Sequence, residues 1–206
     1  MPSFAPADLT PRETYFLMTS VVVPRPIAWV GTRSTAGVDN VAPHSYFNLI
    51  STDPPIVHFT SAGLKDTLTN VRATGVFTVS IVSRPLLQAM NTTSADFPSD
   101  ISEFDHVDVT KAAGQTVQAP YVAEAKAAVE CTLRTVVSMG TGHMVFGDVT
   151  RVIIDDRIWT GQGRIDIAAL DPVGRLSGSQ YTMSDEILRL PRPTWEELQA
   201  TDNPAK

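Results

Sequence analysis

The sequence predicts a mainly β fold, an antiparallel barrel of about seven strands with only short helices between them. Three observations predict it. Short apolar runs rich in Val, Ile, Thr and aromatic residues recur along the chain, several with the two-residue period of strands. Turn residues separate them at close spacing. The helical patterns in between are brief, so a doubly wound α/β sheet is poorly supplied with crossover helices. Segment 56–82 also fits a βαβ unit and keeps an α/β alternative open.

In order along the chain, residues 1–20 read as a lead-in, helical or irregular, punctuated by Pro2, Pro6 and Pro11. The first strand is Ile27–Thr32, closed by a hairpin loop at Arg33-Ser34-Thr35-Ala36-Gly37. A second strand runs from Val41 to about Ile50, and Thr52-Asp53-Pro54-Pro55 turns into a third, Ile56–Thr60. A helix is expected over Asp66–Thr74: Asp66 suits its start, Leu68 and Val71 share a face, and Gly75 stands where helices end left-handed. Val76–Val82 returns to alternation, with Phe77, Val79 and Ile81 on one side. Ser83 and Pro85 open a second short helix through Leu86, Leu87 and Met90.

Residues 91–120 are polar and irregular, and a loop this long in a compact domain is usually functional. Two long strands follow, Val129–Val137 and His143–Ile154, joined by Ser138-Met139-Gly140-Thr141-Gly142. Asp155-Asp156 turns into a short strand, Arg157-Ile158-Trp159, and Ile165–Leu170 makes one helical turn. The expected organisation is one domain over residues 21–190, between the lead-in 1–20 and a Pro-rich, acidic tail 191–206.

A chain of 206 residues can bury one sizeable core without dividing in two. Apolar residues make up 43% and charged residues 18%, which excludes a disordered, highly charged chain. The net charge of −6 leaves no basic surplus for a nucleic-acid backbone, although one small phosphate needs only a local site. Cys131 is the single cysteine, so no internal disulfide forms; it reads as a small apolar strand residue in a reducing compartment. The N-terminus has no basic start followed by an apolar run, and no apolar stretch approaches the ~20 residues of a membrane span. A cytoplasmic protein with neither nucleic-acid nor membrane partner is expected.

Several chemistries lack their motifs. His44, His58, His106 and His143 show no metal-ligand spacing, no G-x-G-x-x-G opens a helix, and there is no Walker A sequence. What stands out is a set of polar residues in or after apolar strands: Ser45, Asn48, Thr60 and Ser61, followed by Lys65-Asp66-Thr67 at a helix start. Free N–H groups there attract an anion, Thr67 adds a hydroxyl and Lys65 a full charge. Taken alone, this also describes an ordinary cap with a solvated lysine, the commoner case. Trp29 reads as a core aromatic, and Arg175 is as easily a structural ion pair as a site residue.

Seven segments in order nevertheless resemble the flavin reductase-like family: Arg25-Pro26-Ile27-Ala28-Trp29-Val30, Asn40 through Asn48, Asp53-Pro54-Pro55, Lys65 through Asn70, Met90 through Asp96, Gly142 through Gly147, and Gly174 through Tyr181. They span roughly residues 20–182, nearly the whole domain; Ser177 departs from a second glycine common in relatives. The resemblance implies an FMN-binding split β-barrel of Greek-key type, usually a homodimer with flavin sites near the subunit interface. It places Pro43, His44, Ser45, Tyr46, Phe47 and Asn48 along the flavin ring and ribityl chain. Thr60, Ser61, Lys65, Asp66 and Thr67 fall at the phosphate with Arg25 nearby, and Asn91, Thr92, Thr93 and Ser94 approach the same cofactor. His143 matches a position near the nicotinamide of NAD(P)H, although it equally suits a strand cap. The implied activity is hydride transfer from NAD(P)H to FMN or FAD, with reduced flavin passed to a partner such as a monooxygenase. A non-enzymatic FMN-binding electron carrier is the alternative.

Overall fold

A computed structural model of the chain describes residues 1–200. Seven strands make its main sheet: β2 (Ala28–Arg33), β3 (Asp39–His44), β4 (Phe47–Thr52), β5 (Pro55–Ala62), β6 (Val76–Ile81), β9 (Ala127–Met139) and β10 (Gly142–Ile154). Their order is β3-β2-β6-β9-β10-β5-β4, antiparallel at every pairing. The α/β alternative fails here, because β9 and β10 lie between β5 and β6.

The two edge strands, β3 and β4, are consecutive in the chain and separated only by Ser45 and Tyr46. Counting directions through the antiparallel pairs shows that β3 and β4 run the same way. They are therefore one bent strand, whose first half pairs with β2 and whose second half pairs with β5. Such a bend carries a strand from one sheet edge to the other and curls the sheet into a barrel split at this seam. The single strand expected over 41–50 is thus divided, because apolar character continues through a bend that only the pairing partners reveal.

Alternation sorts β2 into two cores. Ala28 and Val30 face the barrel interior with Val57, Phe59, Phe77, Val79, Cys131 and Val145. Trp29 faces outward into a second cluster with Ile27, Val41, Val82, Leu86, Met90 and Phe104. Its indole N–H donates to Thr93 Oγ1 at 2.9 Å, so the core reading of Trp29 holds. Gly31 admits a close neighbour: a Cβ there would lie 2.0 Å from the Pro120 carbonyl oxygen. Cys131 is buried, and desolvation pushes its thiol up to about 12.

Helix α2 (Asp66–Thr74) closes the interior with Leu68 and Val71, both fully buried, and ends at Gly75 in the left-handed conformation (φ 73°). Ahead of the barrel, within the expected lead-in, α1 (Pro11–Val21) is a regular helix started by a Thr10/Glu13 capping box. It leads to β1 (Arg25–Pro26). Ser83 and Pro85 lead as expected into a 3₁₀ turn and α3 (Leu87–Thr92).

Within the long loop lie a 3₁₀ turn at Glu103–His106 and a ribbon of β7 (Lys111–Ala113) and β8 (Pro120–Val122). Buried Glu130 fixes this loop to the barrel by accepting from the Gln115 and Thr116 N–H groups at 2.7 and 2.5 Å. The short strand expected at 157–159 begins only at Trp159, since Asp156–Ile158 form a turn in which Asp155 Oδ1 accepts from Arg157 N–H at 2.8 Å. It is β11 (Trp159–Gly161), paired with β12 (Arg164–Ile165) outside the barrel. Then come α4 (Ile167–Leu170), capped by Asp166, and β13 (Val173–Arg175) between β1 and β14 (Tyr181–Met183). The tail contains α5 (Trp195–Ala200), and its last six positions, 201–206, lie outside the described residues. No helix among the described residues is long and apolar enough to cross a membrane.

Candidate functional site

A cleft of about 410 Å³ opens where the strand bends, within the ~300–1,000 Å³ usual for small-molecule sites. Its walls come from β3 and the bend (Asn40, Pro43, His44, Ser45, Tyr46), Thr60 of β5, the start of α2 (Lys65, Asp66, Thr67), and the turn after α3 (Thr93, Ser94). Arg25 and Arg175 line it as well. The sheet seam explains the location. Pairing of β3 with β2 ends at His44, and Tyr46 O takes the Thr60 N–H at 2.8 Å as the chain changes edges.

The α2 end is built for an anion. No side chain caps the helix, so the leading N–H groups from Asp66 to Leu68 lack both intrahelical and capping partners. Lys65 is exposed and held only by Asp96, Nζ to Oδ1 at 3.3 Å, a surface pair worth about 0–1 kcal/mol and readily exchanged. Thr67 differs from the sequence reading. Its hydroxyl donates to Asn40 Oδ1 at 3.0 Å inside a buried network, leaving the backbone N–H as its outward donor. In that network Thr32 also donates to Asn40 Oδ1 (3.2 Å), Asn70 donates to Thr32 (3.1 Å), and Asn40 Nδ2 donates to Glu103 Oε1 (2.5 Å).

Glu103 also accepts the Val41 N–H at 3.0 Å. Burial raises its pKa above the ordinary carboxylate value despite these bonds, and the charge of Asp66 adds to the rise. His44 is buried against Phe59, ring centroids 4.7 Å apart, with no partner for Nε2. Desolvation, helped by the charge of Lys65, lowers its pKa to about 4, so the ring is neutral at pH 7.

Eleven of the residues singled out in the sequence meet in this cleft: Arg25, Pro43, His44, Ser45, Tyr46, Thr60, Lys65, Asp66, Thr67, Thr93 and Ser94. Six do not. Phe47 packs on the barrel core, and Asn48 is exposed with its Oδ1 turned back to the Leu49 N–H. Ser61 faces inward and donates to Gly63 O; Thr92 donates back to Gln88 O. Asn91 is exposed and off the cleft wall, accepting from the Tyr181 hydroxyl at 3.0 Å. His143 pairs across the strands with Ser61, which faces inward, and its Nδ1 lies 2.7 Å from Ser138 Oγ.

Sequence reasoning missed Tyr15, Thr19, Asp96, Phe97 and Glu103 on the cleft wall. Asp96 closes the Met90–Asp96 segment of the resemblance without being assigned a role, and only the length of the 91–120 loop hinted at Phe97 and Glu103. The four histidines do not converge, and no group of three or more metal-binding side chains occurs among the described residues.

Comparison with known proteins agrees with this geometry. A family model described as a flavin reductase-like domain matches residues 18–162. A relative from Deinococcus radiodurans is 38% identical over 90% of this chain and 87% of its own. The crystal structure of nitrilotriacetate monooxygenase component B from Bacillus cereus superposes with a TM-score of 0.88 at 32% identity, covering 92% of this chain and 98% of that one. The 2-nitrobenzoate 2-nitroreductase of Pseudomonas fluorescens gives 0.88 at 31%, over 94% and 98%.

Proposed function

Because the chain belongs to the flavin reductase-like family, we propose that it binds FMN in the cleft at the β3–β4 bend and transfers electrons from NAD(P)H to flavin. The observation that carries this reading is the meeting of the bend, Pro43–Tyr46, with the uncapped start of α2 in one cleft. The residues present fit the cofactor. Lys65 and the leading N–H groups of α2, that of Thr67 included, hold the phosphate. The main chain at Pro43–Tyr46 and the walls at Thr60, Thr93 and Ser94 hold the ring and ribityl chain.

When bound, FMN supplies the electron-accepting ring that takes a hydride from reduced nicotinamide. The chain contributes orientation, exclusion of water and a fixed field. The neutral imidazole of His44 adds no cationic charge to the cleft at pH 7. His143 does not line the cleft of its own chain, and its contact with nicotinamide is proposed on the family resemblance alone. The name of the Bacillus cereus neighbour, a monooxygenase component, supports passage of reduced flavin to a partner oxygenase. A cytoplasmic location goes with this reading.

The test is the absorbance spectrum of the purified chain, followed by NADH and NADPH oxidation with and without added FMN. Flavin-dependent turnover with either nucleotide is expected. Tight FMN without turnover would leave the electron carrier, and no flavin affinity at all would overturn the reading.

A further inference from the structure

We propose that Arg25 and Arg175 form a second anion subsite in the cleft, which takes a planar ring bearing a carboxylate or phosphate as the second reactant. This rests on FMN occupying the bend and the α2 start, as proposed above.

The two arginines are direct cross-strand partners in the β1–β13 pair, and both line the cleft. Like charges placed opposite each other on antiparallel strands repel. Four arginines elsewhere in the fold are matched by carboxylates: Arg33 with Asp39, Arg84 with Asp171, Arg134 with Asp148 and Arg157 with Asp155. Among the described residues, neither Arg25 nor Arg175 has such a partner. Arg25 is only 8% exposed and rests on carbonyls alone. Its Nη1 donates to Thr19 O at 2.8 Å and Val22 O at 2.6 Å, its Nη2 to Leu176 O at 2.9 Å, and its Nε has no partner. Carbonyls at the end of α1 stabilise this charge in part without neutralising it.

Arg175 is the accessible member. It donates to the Tyr181 hydroxyl at 2.5 Å and to the Gly178 carbonyl, and Tyr181 in turn donates to Asn91. Aromatic faces surround the pair. The Tyr46 ring lies 5.8 Å from the Arg25 guanidinium, the Tyr181 ring 4.7 Å from that of Arg175, and exposed Tyr15 lines the same cleft. The exposed rings of Tyr15 and Tyr46 beside unmatched cations suit a planar anion, which stacks on the former and pairs with the latter. Lys65 and the start of α2 share no hydrogen-bond partner with either arginine, so the cofactor's phosphate has donors of its own. Arg175 therefore contacts the ligand, while Arg25 supplies charge from behind and ties α1 to the 176–178 loop.

The test titrates benzoate, phenyl phosphate and benzamide into the FMN-loaded full chain, read by the flavin absorbance. At least one anion is expected to bind tenfold or more tightly than neutral benzamide, and the two anionic arms tell carboxylate from phosphate. Arg175→Met should erase that preference while leaving FMN affinity within twofold, and Arg175→Lys should keep part of it. Equal binding of all three probes to the unmodified chain overturns the subsite. So does an Arg175→Met variant that loses FMN much more than riboflavin, since the arginine then serves the cofactor's phosphate. A chain that binds no FMN fails the reading beneath instead. Calorimetry of the same probes on the flavin-free chain then decides the subsite by the same preference.

Discussion

The two ends of the cleft present donors to an anion by opposite routes. At the α2 end the donors are backbone N–H groups, fixed because Leu68 and Val71 seat the helix in the barrel interior. Everything needed there lies within one short stretch of sequence. At the arginine end the cations are side chains held by carbonyls from two separate segments, residues 19–22 and the 176–178 loop. A site made of main chain inherits the rigidity of the core. One made of long side chains depends on every segment that restrains them, and is open to adjustment.

The largest test of this contrast is Leu68→Ala. Emptying that buried position should cost about 2–5 kcal/mol of stability in urea unfolding, and FMN affinity should fall with it. A loss under about 1 kcal/mol would mean the core does not seat α2.

His44, behind the bend, gives a pH test. Its folded pKa lies below the ordinary value of 6.5, so its contribution to stability is complete above 6.5 and is lost as pH falls toward about 4. The full cost of protonation is on the order of 3 kcal/mol. His44→Asn should flatten the fall in Tm across that window, and an unchanged slope would place the acid sensitivity elsewhere.

Lys65→Ala should weaken FMN by about 1.5–3 kcal/mol and riboflavin far less, because only FMN carries the phosphate. Equal losses for both ligands would remove Lys65 from the phosphate. Smallest is Thr10→Ala, which removes the capping box of α1 and should cost about 1 kcal/mol in thermal unfolding. Because the carbonyls of Thr19 and Val22 at the end of α1 hold Arg25, the same variant should weaken binding of the anionic probes at the arginine end.

Local patterns carried far in this chain. The α2 helix was legible because Asp66, Leu68, Val71 and Gly75 each report a separate feature, namely start, inner face and end. The β9–β10 hairpin was legible from two long apolar runs around Gly140 and Gly142. The β3–β4 bend was not, since residues 41–50 show no break in character and only their partners, β2 and then β5, divide them. Asn48 stands out in the sequence because it is polar within an apolar run, and the structure places it off this cleft on β4, an exposed sheet edge where such a residue costs little. Thr67 lines the cleft, but the destination of its hydroxyl depends on Asn40, 27 positions away.

What the sequence by itself determined is the β class, the helix start at Lys65-Asp66-Thr67 and the family resemblance, because each is read from short local segments and their order along the chain. What only the tertiary structure decided is how the barrel closes, and that Arg25 and Arg175 face each other without a counter-charge. Residues 150 positions apart become neighbours only through strand register, and no local pattern encodes which backbone a distant strand will meet.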